Sequence, residues 1–167
     1  MEKILISACL LGERVRYHGG DARREHPTLQ RWQDEGRLVP LCPEVSGGLA
    51  TPRPAAEISV TPEGRRVLTA AGTDVTRAFE LGADAAAHAC AAHGIRMAIL
   101  KDGSPSCGSR SIYDGSFSGH RVNAQGCTAA RLAADGIAIF SEEEIDPAAD
   151  YLKTLERLQA PATCRRP

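Results

Sequence analysis

Three short apolar runs, each delivering a cysteine into a turn rich in glycine or proline, decide what this chain can fold into. The most informative is Ile95-Arg96-Met97-Ala98-Ile99-Leu100, which reads as a buried strand. It leads straight into Lys101-Asp102-Gly103-Ser104-Pro105-Ser106-Cys107-Gly108-Ser109, where glycine, proline and serine stop regular structure and force a tight loop. Ile4-Leu5-Ile6-Ser7-Ala8-Cys9-Leu10-Leu11-Gly12 and the stretch from Leu38 through Cys42 to Leu49 repeat the arrangement. Open α/β sheets gather their ligands at the carboxyl ends of strands. Three thiols at three such ends can therefore converge on one point.

The segments between these runs supply helices. His26-Pro27 opens a short one through Leu29 and Trp32, and Gly36 ends it. Thr73-Asp74 begins the longest, in which Val75, Phe79, Gly82, Ala83, Ala86, Ala89, Cys90 and His93 recur at three-to-four spacing until Gly94. Cys127 to Ala134 forms another, and Ile137 to Phe140 is the last strand. Ser141 reads as the N-cap of a terminal helix over Asp146 to Leu158, with Glu142, Glu143 and Glu144 complementing its dipole. Gly47 to Pro62 reads as mostly irregular, with a small hairpin from Val60 to Val67-Leu68 about Pro62-Glu63-Gly64. The loop from Lys101 to Asn123 has the length of a functional loop. This alternation specifies a single three-layer α/β/α domain over residues 1–160 with a mainly parallel, Rossmann-like sheet. Residues 161–167 read as a frayed tail.

Composition removes several function classes. A net charge of -1 over 167 residues offers no electrostatic footprint for nucleic acid or anionic membrane. No apolar run approaches the ~20 residues of a membrane span, and Met1-Glu2-Lys3 leads into a strand rather than a signal peptide. The expectation is a cytoplasmic protein whose six cysteines stay reduced. No CxxC pair occurs, which disfavours zinc ribbons and thioredoxin-type chemistry. Cys90 belongs to a helix core, Cys127 opens a helix and Cys164 lies in the tail.

Cys9, Cys42 and Cys107 remain. Three thiolates can hold an iron–sulfur cluster, or a metal with an open position. The competing reading is one reactive cysteine, Cys107, with the other two merely close. Glu44 stands two residues beyond Cys42 and is either a general base beside that centre or a surface carboxylate. Ser104 and Ser106 can donate or relay a proton, or simply bond the loop backbone. None of the five histidines has metal-ligand spacing, and no GxGxxG or Walker loop is present.

Taken together, Ser7-Ala8-Cys9-Leu10-Leu11-Gly12 with Val15-Arg16-Tyr17, Cys42-Pro43-Glu44-Val45-Ser46-Gly47-Gly48-Leu49, and Lys101-Asp102-Gly103-Ser104-Pro105-Ser106-Cys107-Gly108 resemble the thiouracil desulfurase family of small bacterial proteins. The resemblance runs from Met1 to about Leu158. It implies a [4Fe–4S] cluster held by Cys9, Cys42 and Cys107, with a fourth iron open to substrate sulfur, a catalytic carboxylate at Glu44 and a catalytic serine at Ser104, with Ser106 as the neighbouring candidate. It further implies a small thiopyrimidine substrate, from which sulfur leaves as sulfide without net electron transfer. Where the family carries Asp or Asn after the tyrosine of the Arg-Tyr loop, this chain has His18, a departure that bears on substrate selectivity. Arg16, Arg110 and Arg121 are candidates to face the substrate. Two other classes fit the same residues. A sulfur carrier or iron–sulfur module would not turn over and would not need Glu44. A metal-free enzyme acting through Cys107 would tolerate loss of Cys9 and Cys42.

Overall fold

Ile4, Leu5 and Ile6 are all buried because the strand that carries them has a packed layer on each side. In the computed structural model, which describes residues 1–159, this strand is β1 (Ile4–Ser7). It is followed by α1 (Pro27–Asp34), β2 (Leu38–Leu41), α2 (Pro43–Ser46), β3 (Ala56–Thr61), β4 (Gly64–Thr69), α3 (Thr76–His93) and β5 (Met97–Leu100). The chain continues through β6 (Ser111–Tyr113), β7 (Arg121–Asn123), α4 (Cys127–Ala134), β8 (Ala138–Ser141) and α5 (Ile145–Gln159). Four strands form a parallel sheet in the order β2-β1-β5-β8.

Side chains alternate across this sheet as the pleat requires. Ile4, Ile6, Met97 and Ile99 pack on Leu29 and Trp32 of α1 and on Ala148, Leu152 and Leu155 of α5. Leu5, Ala98 and Leu100 pack on the opposite face against Ala86 and Cys90 of α3 and Ala129 and Leu132 of α4. The three-layer α/β/α reading holds. From β1 the chain passes through α1 to β2 on one side, then returns through α3, on the other face, to β5 on β1's far side. Connections diverge between β1 and β5, and that is where open α/β sheets form a crevice.

The helices fall within a few residues of their expected positions. Gly36, Gly94 and Gly136 close α1, α3 and α4 in left-handed backbone. The structure corrects three expectations. The β3–β4 hairpin starts at Ala56, inside the stretch read as irregular, because Ile58 and Val67 pack with Phe79 and Ile112 in a separate small core. The long loop after β5 contains the β6–β7 hairpin, whose three-residue strands are too short to show alternation. Ser141 ends β8 instead of capping α5; its hydroxyl accepts the Glu143 N–H at 3.3 Å in a turn, and the helix begins at Ile145. Cys164 and the tail over 161–167 lie outside the described residues.

One contact fixes the short α2. A Cβ on Gly82 would sit 2.1 Å from the Pro43 carbonyl oxygen, and one on Gly47 would sit 1.9 Å from that of Ala78. The backbones of α2 and α3 therefore touch, and only glycine permits it. Among the described residues no helix is long and apolar enough to cross a membrane.

Candidate active site

Each candidate cysteine follows a strand of the central sheet. Cys9 lies in the 3-10 turn Ala8–Leu11 directly after β1, closed by Gly12 at φ +95°. Cys42 follows β2 and is the N-cap residue of α2. Cys107 lies in the turn after β5, which is tied by Ser104: its Oγ accepts the N–H groups of Ser106 at 3.0 Å and Cys107 at 3.1 Å. Register makes these ends coincide, since Ser7 pairs with Leu41 and Ile6 with Ile99. The Ser7 hydroxyl clips β1 to β5 by accepting the Lys101 N–H at 2.9 Å. All three cysteines, with Glu44 and Ser104, line one cavity of about 310 Å³.

The thiols feel one another. Burial pushes Cys9 up to about 11, and the Cys42 thiol adds to the rise while Arg16 and Lys101 oppose it. Burial pushes Cys107 up further; the Ser7 hydroxyl opposes this, and Cys9, Glu44 and Cys42 reinforce it. Cys42 is also raised by burial, against the backbone N–H groups of Val45 and Glu44 at the start of α2. Such thiols are poor free nucleophiles at neutral pH, which counts against a metal-free reaction through Cys107. A cationic centre among them removes both the desolvation cost and the mutual repulsion. No three His, Cys, Asp or Glu side chains among the described residues converge tightly enough for a single ion. Three thiols lining one cavity are the donor type that iron–sulfur clusters use.

Beside the thiols stands a carboxylate with a fixed orientation. Arg53, 6% exposed, lies 2.6 Å from Oε2 of Glu44, itself 14% exposed, and donates to the same oxygen from Nε at 2.8 Å. The remaining guanidinium donors reach the carbonyls of Val15 at 2.9 Å and Ala50 at 3.1 Å, and the Thr51 hydroxyl at 3.1 Å. With Oε2 occupied, Oε1 is left toward Ser104, whose Oγ lies 3.5 Å away. Ser106 is directed elsewhere: it is buried, and its hydroxyl pairs with that of Thr128 at 2.9 Å.

The remaining candidates separate by position. Arg16 and Arg121 line the cavity, whereas Arg110 is drawn off to Glu144. His18 closes its own turn by accepting the Gly20 N–H at 3.0 Å, and it is the adjacent Tyr17 that lines the cavity.

A family model for 2-thiouracil desulfurase matches residues 4–144. The chain belongs to that family. Among its relatives, the uncharacterized protein YbbK of Bacillus subtilis (strain 168) is 39% identical over 149 residues, covering 86% of this chain and 97% of YbbK. A solved structure of TudS, a [4Fe-4S]-dependent thiouracil desulfidase, is 47% identical and superposes with a TM-score of 0.88, covering 92% of this chain and 99% of TudS.

Within this family member, sequence reasoning missed Arg53. It lies in Thr51-Pro52-Arg53-Pro54, which has no periodicity to place it. The available signal was chemical, since a carboxylate beside three thiols calls for a cation. Glu57 was missed too, because it falls in the stretch expected to be irregular. It lines the same cavity.

Proposed function

We propose that this chain is a [4Fe–4S]-dependent enzyme that hydrolyses the carbon–sulfur bond of a thiouracil-type pyrimidine, with residues 1–160 as one functional unit. Water supplies oxygen to the ring, the sulfur leaves as hydrosulfide, and no electrons are exchanged. The observation that carries this reading is the meeting of three thiols, from the ends of three adjacent parallel strands, in one cavity with an oriented carboxylate.

Cys9, Cys42 and Cys107 would hold the cluster. When bound, it supplies an open iron acting as a Lewis acid that draws electron density from the thiocarbonyl and makes the ring carbon electrophilic. The protein supplies the rest. Glu44, held through Oε2 by Arg53, presents Oε1 to take a proton from the attacking water. Ser104 has its lone pairs engaged by two backbone N–H groups, which leaves its own proton for Glu44 Oε1. It can pass that proton on as the tetrahedral carbon collapses. Arg16 and Lys101 oppose the rise of the Cys9 thiol, so they favour a set of charged thiolates. We place the reaction in the cytoplasm, where thiols remain reduced and available to iron.

The test is anaerobic purification with iron reconstitution, then incubation with 2-thiouracil while uracil and sulfide are measured. Both products should appear, and Glu44→Ala should keep the iron while losing nearly all turnover. A protein that binds iron but releases no sulfide would be a carrier rather than an enzyme, and one that binds no iron would refute the reading.

A further inference from the structure

The cavity holds a second carboxylate that the reaction above does not use. Glu57, on β3, is 8% exposed and lines the cavity. The other buried glutamates carry a basic partner, Arg96 for Glu2 and Lys101 for Glu142, as does the half-buried Glu44 with Arg53. Among the described residues Glu57 has no basic side chain within 4.0 Å. Its Oε1 accepts the backbone N–H groups of Gly115 at 3.1 Å and Phe117 at 3.2 Å, at the tip of the β6–β7 hairpin. Among the described residues its Oε2 has no hydrogen-bond partner. That oxygen is not sealed away either, for Ser109 Oγ alone among the described residues is both fully buried and unpartnered. A carboxylate oxygen that opens on a cavity without a protein partner is a free acceptor for a ligand that brings a donor there.

The loop that Oε1 grips is itself strained. Phe117 is the one non-glycine residue in left-handed backbone among those described, at φ +55°, a region that bulky side chains avoid. Such strain persists where the surroundings over-determine it, and it concentrates at ligand clamps. Here Glu57 accepts the Phe117 N–H itself, while Asp114, Ser116, Ser118 and His120 tie the rest of the turn. The strain delivers a 37% exposed aromatic ring to the edge of the cavity.

We propose that Glu57 is a specificity-determining residue: its Oε2 accepts a hydrogen bond from a ring N–H of the substrate, while its Oε1 seats Phe117 against the face of the ring. The inference rests on the desulfurase reading and deepens it. Both nitrogens of 2-thiouracil carry hydrogen and flank the thiocarbonyl carbon. A carboxylate that accepts from one of them fixes the ring in its plane, and an aromatic side chain fixes its face. The site then selects thiolactams with a free N–H at one defined nitrogen and rejects the analogue methylated there, since methylation removes the donor and leaves the carboxylate unpaired.

The experiment compares 2-thiouracil with its N1-methyl and N3-methyl derivatives on the reconstituted wild type and on Glu57→Gln. Glutamine keeps a carbonyl oxygen for the two loop N–H groups and turns the other position into a donor. Wild type should discriminate against one methyl derivative by tenfold or more in kcat/KM, a charge-assisted hydrogen bond being worth about that or more. Glu57→Gln should raise KM for 2-thiouracil about tenfold with kcat largely kept, lose most of the methyl discrimination, and weaken uracil binding measured by titration calorimetry. Phe117→Ala should weaken uracil binding in the same assay while retaining iron. Wild type that accepts both methyl derivatives equally overturns the assignment whatever the variants do. So does Glu57→Gln with wild-type KM and uracil affinity, which would reduce the residue to a latch for the loop. Wild type that loads iron but converts no thiouracil overturns the desulfurase reading itself.

Discussion

Removal of Arg53 isolates what its guanidinium does for Glu44. Arg53→Ala leaves a largely buried carboxylate with no counter-ion. Breaking a buried pair from one side costs about 3–5 kcal/mol. Glu44 keeps 14% of its side-chain surface and faces the cavity, so water screens part of the charge and the low end, about 3 kcal/mol, is expected. For a domain of this length that is a fall of about 6–12 °C in the thermal midpoint. The acceptors at Val15, Ala50 and Thr51 also lose a donor, but they can turn to water and add little. The decisive comparison is Glu44→Ala/Arg53→Ala. If Arg53 compensates the Glu44 charge, the double variant is more stable than Arg53→Ala alone, by about 1–2 kcal/mol. Arg53→Lys keeps the charge without the fork; it should melt between wild type and Arg53→Ala and have reduced kcat, because Glu44 is then held at one point instead of two. Circular-dichroism melts read the first effect and thiouracil turnover the second. Arg53→Ala melting within a degree of wild type, or a double variant that falls by the sum of the singles, would refute the reasoning.

Gly82→Ala should destabilise the protein and lower iron loading despite a helix-propensity gain of about 1 kcal/mol, because the new Cβ would push Pro43 and with it the Cys42 turn; a more stable, fully loaded variant would show that the backbone contact is not needed. Cys42→Ser and Cys107→Ser should each bind markedly less iron by colorimetric assay, whereas Cys90→Ala should keep full loading and cost about 1–2 kcal/mol of packing, read by denaturant titration. Glu144 is held below the ordinary carboxylate value of 4.5, first by its hydrogen bond with Arg110, against desolvation, and with help from Ser141. A depressed folded value means that stability is present above pH 4.5 and is lost as pH falls below it. Wild type should therefore exceed Glu144→Gln in urea midpoint at pH 7, with the gap closing as the pH falls below 4.5.

The central sheet was legible because β1 and β5 lie between helices on both faces and so read as unbroken apolar runs. Helix ends were legible wherever a glycine such as Gly36 or Gly94 had to adopt left-handed backbone. The β6–β7 hairpin was not, since three-residue strands carry no period and are held by long-range contacts, such as that of Ile112 with Phe79. The same divide runs through the site. Cys9, Cys42 and Cys107 announce themselves by standing beyond strands, and the structure places Glu44 and Ser104 with them. Arg53 and Glu57 reach the cavity from segments whose course only tertiary packing decides. Ser104 and Ser106 are indistinguishable by composition, and only the fold turns one toward Glu44 and the other toward Thr128.

The strand order divides the sheet into β2-β1 from the first part of the chain and β5-β8 from the last, with one seam between β1 and β5. Cys9 and Cys42 stand on one bank of that seam and Cys107 on the other. A cluster held by all three is therefore a cross-link between two half-sheets as well as a reagent. Fragments made by cutting at the exposed Glu63 turn would each carry an incomplete ligand set, and iron would be captured only when they rejoin. Turnover would then take place at a rivet, and a protein stripped of its iron would be left with the β1–β5 ladder and the Ser7 clip across its midline.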